Sequence, residues 1–381
     1  MAIQENVKAY YNSLYKDDFI MVFSPGRINL IGEHTDYNEG FVFPAAIDKG
    51  IYVAMGKSSS DQCTIHALDM EESLEFLVNN LKTAELGSWK NYIIGVVAEI
   101  GKTGKRVPGF NAVFSGDIPN GSGLSSSAAL ENGIVFALNG LFELRLTKEE
   151  MIFISQRAEH NYVGVKCGIM DQYASMFGQK NMALLLDCRS ITSKPFHINL
   201  KDYGLLLINT NVKHTLSDSA YNNRRQVCED VAEMLNIRAL RDASEGDIMI
   251  LKGKILEEDF QKALYVIQEN NRVKRAAIAL ENDNLLELGR LMFETHEGLS
   301  HQYQVSCDEL DFLVDKATEG SGVIGARMMG GGFGGCTINI VHRNSREDFK
   351  NRTAKDYKNR FGVECSFYDV RLEDGTHLLD I

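Results

Sequence analysis

Residues Pro119–Leu130, "PNGSGLSSSAAL", join an apolar strand-like segment, "GFNAVFSGDI" (109–118), to a run with apolar residues at helical spacing: Ala128, Leu130, Ile134, Val135, Leu138 and Leu141. A strand, a glycine turn and a helix in that order form a loop suited to an anion. Gly121 and Gly123 let backbone amides turn inward, and their missing side chains admit phosphate oxygens. The helix start adds free N–H groups and its dipole. Ser125, Ser126 and Ser127 offer hydroxyls to phosphate or to a metal ion. Two common nucleotide loops are excluded. No lysine completes GxxxxGK[ST], and Ser126 stands where GxGxxG needs its third glycine, which sets aside a dinucleotide-binding dehydrogenase. A plain glycine turn capping a helix fits the same letters, so the choice falls to the rest of the chain.

Three further stretches carry chemistry. "SPGRINLIGEHTDYN" (24–38) packs Arg27, Asn29, Glu33, His34, Asp36 and Tyr37 among apolar residues. Charged groups in such a setting are costly unless paired or used. Carboxylates accept hydrogen bonds from sugar hydroxyls, and Arg27 offers permanent positive charge to a transferring phosphoryl group. The alternative is a solvated loop whose charges pair with each other. Zinc is not expected, because "EHTD" sets its ligands too close together. "RAEHNYVGVKCGIMDQYASMFG" (157–178) holds Glu159 late in a predicted helix and Asp171 in an apolar, glycine-flanked segment. Asp171 suits acceptance of a hydroxyl proton, and Glu159 suits a hard cation such as Mg²⁺, with a serine hydroxyl beside it. Taken singly, each is equally a surface glutamate and an N-cap aspartate. "MMGGGFGGC" (328–336) has five glycines in the six positions 330–335, which fits a tight backbone approach to a ligand or another loop, or else a hinge.

The chain as a whole sets the frame. Its 381 residues are enough for two domains, and 44% hydrophobic with 24% charged residues is ordinary globular composition. A net charge of −12 argues against nucleic acid and anionic membrane as partners. Seven scattered cysteines without CxxC spacing suggest reduced thiols. No secretory leader or membrane-length apolar run is evident, so a cytoplasmic location is expected. Strands are expected at "DFIMVFSPG", "FVFPAAIDKGIYVAMG", "MALLLDC", "YGLLLINT" and "CSFYDVRL", and after the second glycine cluster. Helices are expected at "WKNYIIGVVAEIG", from about Ser125 to Phe142, at "KEEMIFISQRAEHNYVG" behind a Thr147/Glu150 capping box, across about Ser217–Thr318, and at "EDFKNRTAKDYKNRF". A boundary near Leu200 divides the chain into 1–200 and 201–381.

These four segments, in this order, resemble the GHMP kinase superfamily of galactokinases, homoserine kinases, mevalonate kinases and phosphomevalonate kinases. "GRINLIGEHTDYN" is similar to the galactokinase signature nearly letter for letter. "GSGLSSSAALE", "AEHNYVGVKCGIMDQ", "GGGFGGC" and the later "NTNVKHTLSDSAYNNRRQVCEDV" agree with that branch. The resemblance implies a two-domain α/β (α+β) fold. Its N-terminal domain is like ribosomal protein S5 domain 2, its C-terminal domain is ferredoxin-like, and the active site lies in the cleft between. It implies ATP- and Mg²⁺-dependent phosphorylation of the anomeric hydroxyl of galactose. In that reading Asp171 is the catalytic base and Arg27 stabilises the transition state. Glu33, His34, Thr35, Asp36, Gly168 and Tyr221 line the sugar. Gly121, Ser122, Gly123, Leu124, Ser125, Ser126 and Ser127 hold the ATP phosphates, and Trp89 lies near the adenine. Ser127 and Glu159 coordinate Mg²⁺. A monomer with only galactose and ATP as partners is expected. A kinase of a related sugar such as N-acetylgalactosamine, or a non-catalytic sensor of galactose and ATP, are the alternatives.

Overall fold

In the computed structural model, residues 2–119, 121–213, 217–320 and 322–380 are described. The first half supplies α1 (Ile3–Leu14), β1 (Phe19–Asn29), β2 (Phe41–Val42), β3 (Pro44–Lys57), β4 (Gln62–Ala67), β5 (Glu72–Leu77), α2 (Lys90–Lys102), β6 (Phe110–Gly116), α3 (Ser126–Phe142), α4 (Lys148–Ala158), α5 (Met170–Phe177), β7 (Met182–Asp187) and β8 (Thr192–His197). The second half supplies β9 (Tyr203–Lys213), α6 (Ser217–Met234), α7 (Glu245–Ile248), α8 (Glu257–Glu281), α9 (Leu285–Glu297), α10 (Asp308–Glu319), β10 (Val323–Met328), β11 (Gly334–His342), α11 (Arg346–Phe361), β12 (Ser366–Val370) and β13 (His377–Leu379).

Six strands form one sheet in the order β13–β1–β3–β6–β4–β5, with β4 and β6 its one parallel pair. Helices α2, α3 and α4 bury their apolar residues in one core with this sheet, Ile93, Ile134 and Ile152 among them. The second sheet, β10–β11–β9–β12, is antiparallel throughout and carries α9 and α10. A third, β2–β7–β8, completes the mixed α/β fold. One apolar cluster joins the halves: Ile28, Phe43 and Leu124 pack with Leu207, Leu288 and Ile338. The expected boundary at 200 lies between β8 and β9. The last strand, β13, returns to pair with β1, so the chain closes on the sheet where it began.

Several elements differ from the sequence expectation for local reasons. The β4–β5 hairpin has half its positions exposed and carries Glu72 and Glu75, so no long apolar run marks it. Helix α5 is only eight residues long, between Gly168 and Gly178. The expected helix through Gly164 stops as an α-helix at Ala158 and widens into a π turn over Glu159–Val163. The long helical section is broken into α6 to α10. The Thr147/Glu150 capping box is present: Glu150 N donates to Thr147 Oγ1 at 3.2 Å, and Thr147 N to Glu150 Oε2 at 2.8 Å. Within "NTNVKHTLSDSAYNNRRQVCEDV", residues 214–216 lie outside the described residues, as does residue 120 of the first glycine loop.

Candidate active site

The site begins with an irregularity in β1. Its register against β3 shifts between Pro25 and Arg27, a bulge that turns the strand toward the first glycine loop. Arg27 N donates to Leu124 O at 3.0 Å, and a side chain on Gly26 would bring its Cβ within 2.8 Å of that same oxygen. Glycine at 26 is therefore what lets strand and loop touch. Within the loop, Gly121, Gly123 and Ser125 all have left-handed φ, at 66°, 71° and 61°. Leu124 is fully buried and anchors the loop in the shared core. Helix α3 starts immediately after, at Ser126, with no side chain capping it.

The second glycine cluster braces the first. A Cβ on Gly330 would lie 3.2 Å from Gly123 O, and one on Gly335 would lie 3.4 Å from Gly121 O. Of the readings open for "MMGGGFGGC", close approach to another loop is the observed one.

Asp171, near the start of α5, meets Arg27 in a two-point ion pair. Arg27 Nε donates to Oδ1 and Nη2 to Oδ2, both at 2.7 Å, while Nη1 donates to Gly123 O. Ser125 Oγ donates to Asp171 Oδ2 at 2.6 Å. Asp171, Arg27 and the first glycine loop are thus one hydrogen-bonded unit.

On one side of this unit is a small cavity of about 120 Å³, lined by Arg27, Asp171, Glu33, His34, Asp36, Tyr221 and Glu159 with the backbone at Gly330 and Gly331. Gly168 stands against it, because any Cβ there would fall 1.9 Å from Asp36 Oδ2. Thr35 does not line this cavity. Its hydroxyl shares its one hydrogen between Phe41 O at 2.6 Å and Gly32 O at 2.9 Å, so its side chain holds the turn that presents its neighbours. A second cavity of about 520 Å³ has Trp89, Tyr92, Phe114, Met70 and Tyr368 on its walls together with Ser126 and Ser127. Trp89 is thus placed on an aromatic surface beside the serines. A larger cavity of about 760 Å³, among Lys201, Arg343 and Arg371, touches none of these groups.

Burial governs the charges in the small cavity. Asp36 is pushed up to about 7, first by burial and then by Asp171 nearby. Glu159 is likewise raised to about 7, by burial and then by Asp171, against hydrogen bonds from Cys167, Ser127 and Gln172. His34 falls to about 3 through burial and the charge of Arg224, so it is neutral at working pH. Its Nδ1 shares a hydrogen bond with Tyr37 Oη at 2.7 Å, and Tyr37 in turn with Tyr303 Oη at 2.7 Å. The folded protein keeps protons on Asp36 and Glu159 that the unfolded chain releases near pH 4. Stability of the ligand-free protein should therefore fall as pH rises from about 4 to about 7. Asp36→Asn should flatten part of that fall in thermal melts across the window, and an unchanged slope would contradict the placement of Asp36.

Ser127 and Glu159 are two hard oxygen donors near the glycine loop, Ser127 acting to hold the Glu159 carboxyl down, and the raised Glu159 carboxyl is what a bound cation would relieve. That donor chemistry fits Mg²⁺. Sequence reasoning missed one residue at the centre of the arrangement, Arg327. It is fully buried on β10 and donates to Glu33 Oε1 through Nη1 at 3.1 Å and Nη2 at 3.2 Å. An arginine inside "VIGARMMG" was the available signal, since it demands a buried acceptor.

A glycine loop opening a helix, an arginine–aspartate pair and a cavity walled by charged and polar side chains thus stand together. The N-terminal and C-terminal domains of GHMP kinases match residues 91–179 and 276–359, and the galactokinase galactose-binding signature matches residues 9–57. The galactokinase of Thermosipho africanus is 42% identical over 93% of this chain and 98% of its own length. That of Clostridium acetobutylicum is 39% identical over 98% and 97%. The crystal structure of Lactococcus lactis galactokinase complexed with galactose superposes with a TM-score of 0.94 at 32% identity, covering 98% of this chain and 99% of that one. Methanococcus jannaschii mevalonate kinase, at 19% identity and a TM-score of 0.65 over 94% of this chain, shares the fold. The chain belongs to the galactokinase family.

Proposed function

We infer that the protein transfers the γ-phosphoryl group of ATP to the anomeric hydroxyl of galactose, giving galactose 1-phosphate and ADP. The observation that carries this reading is the Arg27–Asp171–Ser125 unit, which ties the charged wall of the small cavity to the glycine loop. Phosphoryl transfer asks a protein chiefly for positioning and charge stabilisation. Glu33 and Asp36 accept hydrogen bonds from sugar hydroxyls, with neutral His34 and Tyr221 closing the wall. Asp171 orients the reacting hydroxyl and takes its proton. Arg27, fixed by Asp171 and by Gly123 O, offers positive charge where the phosphoryl group passes. Gly121 to Ser127 supply amides and hydroxyls to the phosphates, and the aromatic cavity beside Trp89 suits the adenine. Ser127 and Glu159 would hold Mg²⁺, whose charge offsets that of the ATP phosphates. Seven free thiols, five of them buried, support a cytoplasmic location.

Glu33→Gln tests the sugar assignment. It should raise the galactose KM by about tenfold or more, the loss of a charged hydrogen bond, and leave the ATP KM unchanged. Steady-state kinetics with each substrate varied in turn would show this. Equal effects on both KM values would remove Glu33 from the sugar wall.

A further inference from the structure

The loop that carries Glu33 is seated on α8, a helix of the second half of the chain. Tyr265 Oη donates to Glu33 O at 3.1 Å. One turn further along, Glu269 Oε1 accepts from Gly32 N at 2.7 Å, and Asn270 Oδ1 accepts from Phe41 N at 2.9 Å. Tyr265 and Glu269 are fully buried. Glu269 is itself fixed, because its Oε2 accepts from Arg272 Nε at 2.6 Å and Thr295 Oγ1 at 2.9 Å. The loop lies flush on the helix: Gly32 has φ 98°, and a Cβ there would fall 2.9 Å from Val273 Cγ2. The Tyr265 ring also packs 4.9 Å from that of Tyr303, whose hydroxyl meets Tyr37 and, through it, His34. One aromatic cluster therefore braces two neighbours, Glu33 and His34, on the wall of the small cavity.

We propose that Tyr265 is a positioning residue for the sugar: by holding the Glu33 carbonyl, it sets the angle at which the Glu33 carboxylate meets a galactose hydroxyl. The proposal rests on the reading of Glu33 as a sugar contact. Arg327 Nη1, Arg327 Nη2 and Gly330 N all converge on Glu33 Oε1, which leaves Oε2 to the sugar. The Cα of Glu33 carries both the carbonyl that Tyr265 holds and the side chain that faces the cavity. A peptide plane free to turn would swing the carboxylate, and productive geometry tolerates only about 0.5 Å. The Tyr265 hydroxyl bonds the sugar loop and not the glycine loop, so its influence falls on galactose rather than ATP.

Tyr265→Phe in the full-length protein tests this, since it keeps the ring and its packing and removes only the donor. The galactose KM should rise about two- to tenfold, the usual weight of one hydrogen bond, with the ATP KM unchanged and kcat at saturating galactose within about twofold. A double-mutant cycle with Glu33→Gln separates positioning from general loosening. If Tyr265 acts through Glu33, its effect on the galactose KM shrinks in the Glu33→Gln background. The proposal is overturned by a parental galactose KM in Tyr265→Phe, by an equal rise in the ATP KM, or by an effect that multiplies in full on top of Glu33→Gln. A parental galactose KM in Glu33→Gln alone would overturn the sugar reading and the proposal with it. A raised KM there beside a parental one in Tyr265→Phe would overturn the proposal and leave the sugar reading standing.

Discussion

Asp171→Asn should lower kcat by about a hundred- to ten-thousand-fold, the usual contribution of a positioned proton acceptor, while ATP and galactose still bind. Asparagine keeps the shape of the side chain but accepts at only one atom. Asp171 now receives Arg27 Nε, Arg27 Nη2 and Ser125 Oγ across its two oxygens. An amide nitrogen in either place would set donor against donor, and nothing would remain to take the substrate proton. Calorimetric binding of galactose and an ATP analogue, set against turnover of the same preparation, measures both halves. Parental turnover would remove Asp171 from the mechanism, and loss of sugar binding would make it a structural residue of the cavity.

The largest expected effect on stability lies at Arg327. Arg327→Met should cost about 3–5 kcal/mol of unfolding free energy, the loss expected when one partner of a buried ion pair is removed. The guanidinium does more than pair with Glu33. Its Nε donates to Leu30 O at 2.9 Å and its Nη1 to Met328 O at 2.6 Å, and Nη2 reaches Asn29 O. It therefore ties the end of β1 and the turn after it to β10 in the second sheet. Methionine would leave Glu33, itself 2% exposed, with Gly330 N at 2.9 Å as its remaining donor. Chemical denaturation would register the difference, and a loss within about 1 kcal/mol would show that the clamp is replaceable.

Much of the site was legible because its residues sit in short, dense motifs. The strand–glycine–helix pattern located the first loop, and the carboxylates of "GEHTD" and the isolated Asp171 flagged the cavity. Their mutual geometry was not legible. Arg27 and Asp171 are 144 positions apart, and only the β1 bulge and the placement of α5 bring them together. Thr35 lies within the motif, and its hydroxyl is set against backbone oxygens, which the motif alone did not reveal. In the fold, strongly periodic or continuous apolar segments such as α3 and β9 were readable. The β4–β5 hairpin and the short α5 were not, because half-exposed or brief elements carry little periodic signal. The breaks between α6 and α10 depend on packing against the second sheet, which no single window of sequence contains.

The central claim is a chemical one, and one assay addresses it directly. The purified full-length protein, incubated with ATP, Mg²⁺ and galactose, should yield galactose 1-phosphate and an equal amount of ADP, with N-acetylgalactosamine turned over far less well. Tight binding of both ligands without sugar 1-phosphate would contradict the account and leave a sensor in its place, and preferential turnover of N-acetylgalactosamine would reassign the sugar.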